Sequence, residues 1–219
     1  MRRLALFTRP PVPGQVKTRL SPALPPALAA GLYEALFADT LEAVRASGAE
    51  ERTLWWPGEP PRGPTPAGFE SRSQAGADTG ARLAHAAGEM MREPGDRVVM
   101  VTSGVPALRA ALLDEAFAAL ETSDLVLGPA TDGGCWLVGL AREAPAFFEG
   151  LAPDVPDAFE RARTSAVRAG LSVRTMAMLD GLETPHELVR LLAGDATGHT
   201  HVFGEHTRAF LVHAGMLPD

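Results

Sequence analysis

The 219-residue chain contains a single cysteine, which excludes an internal disulfide framework and a cysteine-based zinc cluster. Long apolar runs are missing as well: no stretch approaches the ~18 residues that a membrane span requires. The opening Met1-Arg2-Arg3 carries the basic pair of a secretion signal, but the apolar stretch behind it ends at Thr8-Arg9. That falls short of the ~7–15 residue core such a signal needs. Positive charge is not in excess, since 20 Lys and Arg stand against 27 Asp and Glu, giving a net charge of −7. Neither nucleic acid nor a membrane is therefore an expected partner. What remains is a balanced mixture, 46% hydrophobic and 21% charged, with a mean hydropathy of +0.01. These proportions predict one cytoplasmic globular domain over residues 1–219, long enough to bury a core.

Glycine (22) and proline (19) are plentiful, together well above the ~12% they usually supply. They punctuate periodic segments rather than form a continuous tract. The densest patch, Pro57 to Pro66, predicts a stiff exposed loop between two strands.

Apolar patterning predicts strands at 3–8, 53–56, 98–102, 124–128, 135–140 and 171–178. Between them lie helical patterns. The first runs from about Pro26 to Ser47, with Leu28, Leu32, Ala35, Leu36, Leu41 and Val44 near helical spacing. Others span Asp78 to Arg92, Pro106 to Leu120 and Asp157 to Ala169. Thr184-Pro185-His186-Glu187 is a helix start, with Thr as N-cap and Pro in the first turn. Alternating elements of these lengths predict an α/β fold, a doubly wound and mostly parallel central sheet with helices on both faces. Ligands of such sheets bind beyond the carboxyl ends of the strands, so the loops after Thr8, Val101, Gly128 and Met178 are the ones to interrogate.

The first of these loops reads Arg9-Pro10-Pro11-Val12-Pro13-Gly14-Gln15-Val16-Lys17-Thr18-Arg19-Leu20. It is stiffened by proline and places Lys17 and Arg19 where the sheet presents a ligand. Lysine acts on phosphate as a point charge, and arginine clamps two oxygens at once. It is not a Walker A loop, because the Gly-x-x-x-x-Gly-Lys spacing is missing. A solvated basic turn is the alternative reading.

The run Pro-Val-Pro-Gly-x-Val-Lys-Thr-Arg-Leu after an N-terminal strand resembles the opening of a bacterial glycosyltransferase-A-like family of undefined substrate. That family belongs with the nucleotide-diphospho-sugar transferases and is related to phospholactate and phosphoenolpyruvate guanylyltransferases. Three further stretches carry the resemblance: Gln74 to Leu83, the Gly128-Pro129-Ala130-Thr131-Asp132-Gly133-Gly134 run, and Leu182-Glu183-Thr184-Pro185. The match covers about residues 3–190, leaving 191–219 as a C-terminal helical extension. The resemblance implies nucleotide contacts from Arg9, Gly14, Lys17 and Arg19 at the phosphates, and from Gln74, Asp78, Gly80 and Arg82 at the base and ribose. It implies an acceptor side at Asp132, Gly133 and Gly134, with Lys17 and Asp132 catalytic. Family chemistry implies Mg²⁺ or Mn²⁺, held here by Glu183 and Asp132.

The sequence departs from the family pattern on this predicted ligand face. Where relatives read Gly-Thr-Asp-Cys-Pro after the central strand, this chain has Thr102-Ser103-Gly104-Val105-Pro106, so Gly104 stands at the metal-binding Asp. The Asp-x-Asp-Thr-Pro run becomes Gly181-Leu182-Glu183-Thr184-Pro185, and a Trp-Ser-Thr-Pro loop becomes Pro153-Asp154-Val155-Pro156. A ~4 kcal/mol loss of charge stabilisation would slow a reaction roughly a thousandfold. Asp132, Asp154 or Asp180 could substitute as ligands, or Ser103 through a metal-bound water.

Two functions follow as expectations. One is a divalent-metal-assisted transferase moving a nucleotidyl or glycosyl group from a nucleoside triphosphate or nucleotide-sugar to a small acceptor. The other is an inactive relative serving as nucleotide sensor or interaction scaffold. Weaker features stand apart. His199, His201, His206 and His213 crowd the tail, with His206 and His213 on one helix face. Cys135 reads as an inert buried thiol, and the Phe147-Phe148 pair reads as packing. Trp55 and Trp56 would face opposite ways, one of them toward a loop or partner. A last amphipathic helix from Glu205 to Ala214 can cap the core or pair subunits into a homodimer. There is no Gly-x-Ser-x-Gly elbow for a serine hydrolase.

Overall fold

Leu4, Ala5 and Leu6 are apolar without interruption, which suits a strand buried on both faces, and the sheet is built outward from them. In the computed structural model, which describes residues 1–21, 23–149, 151, 155, 157–196 and 202–218, β1 (Arg2–Phe7) runs parallel to β2 (Glu51–Pro57) on one side and β4 (Arg97–Thr102) on the other. β3 (Glu70–Gln74) pairs with β2, again parallel. β5 (Leu125–Pro129) and β4 are bridged by β6 (Cys135–Leu140), which is antiparallel to both, and β7 (Val173–Thr175) lies parallel to β5. The order is β3-β2-β1-β4-β6-β5-β7. The expected mostly parallel, doubly wound sheet is the sheet observed. β6 is its one antiparallel strand among the described residues, so the tight Thr131–Gly134 turn lies at the same end as the carboxyl ends of the parallel strands.

Alternation along the strands divides the core into two layers. Leu4, Leu6, Leu54, Trp56, Val99 and Val101 face α1 (Pro26–Ala46) and α3 (Ala110–Ala119). Ala5, Trp55, Val98, Met100, Leu125 and Leu127 face α2 (Thr79–Met90), α4 (Pro145–Phe148) and α5 (Ala158–Arg168). Each fully buried Leu, Val or Phe contributes roughly 1.5–3 kcal/mol of transfer free energy. A third cluster joins α1 to α6 (Pro185–Ala196) and α7 (Glu205–His213) through Leu32, Leu36, Leu188, Leu191 and Leu211. The last helix thus caps the chain's own core. Asp39 of α1 secures it, accepting the backbone N–H groups of His206 and Thr207 at 2.9 Å each, as an N-cap supplied by another helix.

Several local expectations are corrected. α3 starts at Ala110 rather than Pro106, because residues 106–109 form a turn whose carbonyls at Pro106 and Leu108 accept from the Arg109 guanidinium. The last strand is three residues long and lies at the sheet edge, so little of the 171–178 segment finds a ladder partner. Trp55 and Trp56 do alternate, but both are buried, one in each layer, and neither faces a partner. Leu28 is exposed near the start of α1. α4 carries no apolar period of its own; β3 is the second of the two strands expected around the Pro57–Pro66 loop, but its polar residues give its bounds no pattern. Pro153, Asp154, Pro156, His199 and His201 lie outside the described residues. No helix among the described residues is long and apolar enough to cross a membrane.

Candidate functional site

All four loops singled out by topology converge on one cavity of about 490 Å³. Arg9 and residues 15–19 supply one wall, residues 102–105 the floor beyond β4, Ala130, Asp132 and Gly134 a second wall, and Gly181 and Glu183 the last. Gln74, Thr79 and Arg82 complete the rim beside β3.

The first loop is shaped by its own backbone. Val12 N–H bonds to the Pro10 carbonyl at 2.8 Å, Gln15 N–H to Val12 at 3.0 Å, and Leu20 N–H to Lys17 at 2.9 Å. The last of these closes a 3-10 turn over Thr18–Leu20, and Lys17 stands at its N-cap with φ 48 and ψ 35. It is the one non-glycine residue with positive φ among those described. For an L-residue this left-handed conformation costs roughly 1–2 kcal/mol. The strain turns Val16 and Lys17 inward and leaves Thr18 and Arg19 exposed. The Lys17 side chain is only 3% exposed, and its Nζ donates to Glu183 Oε1 at 2.6 Å. The ammonium also lies 5.8 Å from the Tyr33 ring, within the range of cation–π attraction.

Tyr33 ties the walls together. Its hydroxyl lies 2.9 Å from Thr8 Oγ1 and 2.8 Å from Ser103 Oγ, and it accepts the Arg9 N–H at 2.9 Å. One side chain from α1 thus fixes both the first loop and the loop after β4. Pattern reading missed it, because a tyrosine on a helix face looks like ordinary core; its polar tip gave the only signal.

Predicted site residues are distributed unevenly. Arg9, Lys17, Arg19, Gln74, Arg82, Asp132, Gly134 and Glu183 all line the cavity. Gly14 instead borders a smaller hollow of about 250 Å³, which Val16, Lys17 and Thr18 also line. Asp78 caps α2, its carboxylate accepting the Ala81 N–H at 2.7 Å. Gly80 packs against the Leu151 carbonyl, where a Cβ would come within 2.5 Å. Gly133 occupies the turn at φ 87, and Asp132 Oδ1 accepts the Gly134 N–H at 2.9 Å. Gln74 donates to the Trp55 carbonyl at 2.8 Å. Cys135 also lines the cavity, but burial, with Asp132's charge behind it, pushes its thiol up to about 12. It is neutral at physiological pH and a poor nucleophile.

Glu183 and Asp132, the donors expected to hold a divalent ion, are already bonded within the protein. Position 104 offers no ligand. A Cβ there would fall 2.8 Å from Glu183 Oε1 and 3.2 Å from Lys17 Nζ, so the ion pair fills the space a side chain would need. Glu183 is bonded to the ammonium rather than open to a cation. Among the described residues one group of three potential ligands is clustered, Asp39, Glu42 and His206, on α1 and α7 and outside the cavity. There both Asp39 oxygens already accept backbone N–H groups, and His206 pairs with Glu42 at 2.9 Å rather than with His213. The cavity as built does not fit the implied metal.

The mostly parallel sheet, with a cavity at its carboxyl ends walled by a cationic first loop, has the nucleotide-diphospho-sugar transferase-like fold. Within it, residues 39–153 match the model of DUF2064, described as "Uncharacterized protein conserved in bacteria", and the chain belongs to that family. Among solved structures it resembles a Desulfovibrio desulfuricans G20 protein provisionally assigned as a nucleotide-diphospho-sugar transferase. That match has 25% identity and a TM-score of 0.86, and covers 100% of this chain and 99% of the other. CMP:2-keto-3-deoxy-manno-octonic acid synthetase in complex with CTP shares the fold at 11% identity, TM-score 0.54, over 90% of this chain and 100% of its own. So does the Mycobacterium tuberculosis H37Rv protein Rv0371c in complex with manganese, at 16% identity, TM-score 0.51, over 88% and 99%. Comparison with curated protein sequences finds no match.

Proposed function

We propose that this protein is a nucleotide-dependent transferase that binds a nucleoside triphosphate or nucleotide-diphospho-sugar in the cavity and passes a nucleotidyl or glycosyl group to a small acceptor. The observation that carries this reading is the convergence of Arg9, Lys17, Arg19 and Arg82 on one cavity in a chain of net charge −7. Cations gathered against the overall charge point to an anionic ligand. The neighbouring structures with CTP and with the provisional sugar-nucleotide assignment support a nucleotide as that ligand.

The roles follow from position. Arg9 and Arg19, exposed on the rim, grip the outer phosphates, with the arginine forks suited to paired oxygens. Lys17, buried, meets the charge that builds on the leaving phosphate when the bond to it breaks. Gln74 and Arg82 face the base and ribose. Asp132 sits on the opposite wall, where it takes the acceptor hydroxyl's proton as the new bond forms to phosphorus or to the sugar carbon. Gly14, Asp78, Gly80 and Gly133 act through loop shape. Mg²⁺ or Mn²⁺, the cofactor the resemblance implies, enters no step here, because the cavity's donors do not fit it.

The test is titration of the four nucleoside triphosphates and a panel of nucleotide-sugars, followed by assay of pyrophosphate or nucleoside diphosphate release with pooled small acceptors. Binding with turnover that Lys17→Ala abolishes supports the transferase. Turnover that survives Lys17→Ala overturns it. Binding without turnover on any acceptor supports the second reading, a nucleotide sensor, which the missing carboxylate at Gly104 favours.

A further inference from the structure

Lys17 is held with unusual insistence. Its backbone is forced left-handed, its side chain is buried to 3% exposure, and its ammonium is bonded to Glu183 at 2.6 Å beside the Tyr33 ring. Strained conformations persist only where surrounding structure over-determines them, and they concentrate at functional sites. An ammonium has three donors. Among the described residues Glu183 takes one, and the group lines the cavity.

Gly104 completes the arrangement. The shortest contacts of a hypothetical Cβ are with the two members of the ion pair, Glu183 Oε1 at 2.8 Å and Lys17 Nζ at 3.2 Å. A Cβ at 104 would make the tips of these two side chains shift, and a longer acidic side chain would compete with Glu183 for the ammonium. A divalent ion reaches Glu183 Oε1 only by expelling the ammonium bonded there, and two cations crowded onto one carboxylate repel each other. The chain has built in the lysine.

We propose that the Lys17 ammonium, fixed by Glu183 over Gly104, takes the place of a divalent cation at this cavity, so that a nucleoside triphosphate binds without added metal. This rests on the nucleotide reading above, and it adds the charge partner that the phosphates meet. Lys17 supplies a fixed monocation, and Arg9 and Arg19 supply the remaining charge from the rim. Gly104 is then a specificity-determining position: its lack of a side chain keeps the lysine in and the metal out.

The experiment is calorimetric titration of ATP, CTP, GTP and UTP into the full chain, once in excess EDTA and once in excess Mg²⁺. The wild type is expected to bind one triphosphate with affinities that agree within about threefold between the two conditions, under 1 kcal/mol apart. Lys17→Met is expected to lose at least about tenfold in EDTA. Gly104→Asp is expected to lose the EDTA binding and recover it in Mg²⁺, and Gly104→Ala, which only shifts the tips of Lys17 and Glu183, to lose less of it and gain nothing from Mg²⁺. Circular dichroism melts establish that each variant is folded, and the wild-type comparison decides the matter even where a variant is not. Wild-type binding that appears only with Mg²⁺ overturns this inference and leaves the nucleotide reading standing. No binding of any triphosphate or nucleotide-sugar in either condition overturns both.

Discussion

Two buried ion-pair systems sit at opposite ends of the central strands, and they are built to different ends. At the amino end Asp96, just before β4, accepts from the Arg3 guanidinium, from the Arg92 and Glu93 N–H groups at 3.0 and 2.8 Å, and from the Met1 ammonium at 3.2 Å. Arg3 in turn reaches Glu51 and the Met90 carbonyl. Burial alone would raise the Asp96 carboxyl, but the Glu93 N–H, Arg3 and the amino terminus outweigh it and hold the group at about 2. At the carboxyl end Lys17 and Glu183 make a single bond at 2.6 Å, facing an open cavity. A saturated network has nothing left to offer a ligand and serves the fold. A buried charge with free donors stores binding capacity at the fold's expense.

The sharpest way to break the comparison is to remove one charged partner from each system. Asp96→Ala leaves the Arg3 guanidinium, which is 5% exposed, with Glu51 as its one carboxylate partner and strips the Arg92 and Glu93 N–H groups of theirs; breaking a buried pair from one side typically costs about 3–5 kcal/mol. Urea denaturation is expected to show a loss of that order, while nucleotide affinity per folded molecule stays unchanged. Lys17→Met, by contrast, leaves Glu183, 35% exposed, free to hydrate, and it puts an apolar chain into a buried slot. Its stability is expected to fall by less than about 1.5 kcal/mol, with the main loss in binding. Equal destabilisation by the two variants would mean that the Lys17 pair is structural too.

Tyr33→Phe comes next in size. It deletes one hydroxyl that meets Thr8, Ser103 and the Arg9 N–H, and leaving buried partners unsatisfied costs about 1–3 kcal/mol. Because the same hydroxyl aligns Arg9 with the floor of the cavity, nucleotide affinity is expected to drop along with stability. An affinity that holds while stability falls would place the tyrosine with the Asp96 system rather than with the site.

Acid titration separates the two ends further. Asp96 and Asp124 are both held at about 2; for Asp124 the Arg142 guanidinium comes first and the Ser172 N–H and hydroxyl next. Folded-state values below the unfolded 3.8 mean stability that is present in full above about pH 4 and lost as pH falls toward 2. Thermal melts between pH 5 and 2 are expected to fall steeply in wild type and to fall less in Asp96→Ala, which has already lost its share. Parallel slopes would remove Asp96 from the explanation.

The sequence disclosed the cavity better than its contents. Unbroken apolar runs such as Val98 to Val101, short and rich in β-branched residues, fit strands buried on both faces, and their alternation with helical patterns pointed to one class of sheet. Its topology named four loops, and those four loops wall the cavity. Lost to pattern reading were features whose cause is tertiary. β3, whose residues are Glu70-Ser71-Arg72-Ser73-Gln74, is polar throughout and becomes a strand only because β2 offers it a ladder. The Pro106 helix start failed because Arg109 folds back onto the preceding carbonyls. The family resemblance implies Glu183 as a metal ligand, and no local pattern links it to an ammonium 166 residues away. The absence of a side chain at 104 was visible from the outset, but not that an ammonium stands against it.

A third ion pair sets the lower end of the scale. His206 on α7 meets Glu42 on α1 at 2.9 Å with both side chains about half exposed, beside the Asp39 cap that secures the same helix. The Glu42 carboxylate raises the imidazole above its ordinary 6.5, against a smaller opposing effect of burial. A folded-state value above the unfolded one means stability that is fully present below about pH 6.5 and disappears as pH rises through the folded value. Exposed pairs of this kind contribute about 0–1 kcal/mol and are screened by salt. Amide exchange along α7 is therefore expected to quicken slightly, after correction for intrinsic rates, between pH 6 and 8. His206→Gln should remove that dependence, and high salt should flatten it in wild type. The Asp39 cap, made of backbone N–H donors that do not titrate, should hold the helix in place throughout. If His206→Gln instead releases α7 altogether, the exposed pair, and not the buried carboxylate cap, is the anchor of the C-terminal helix.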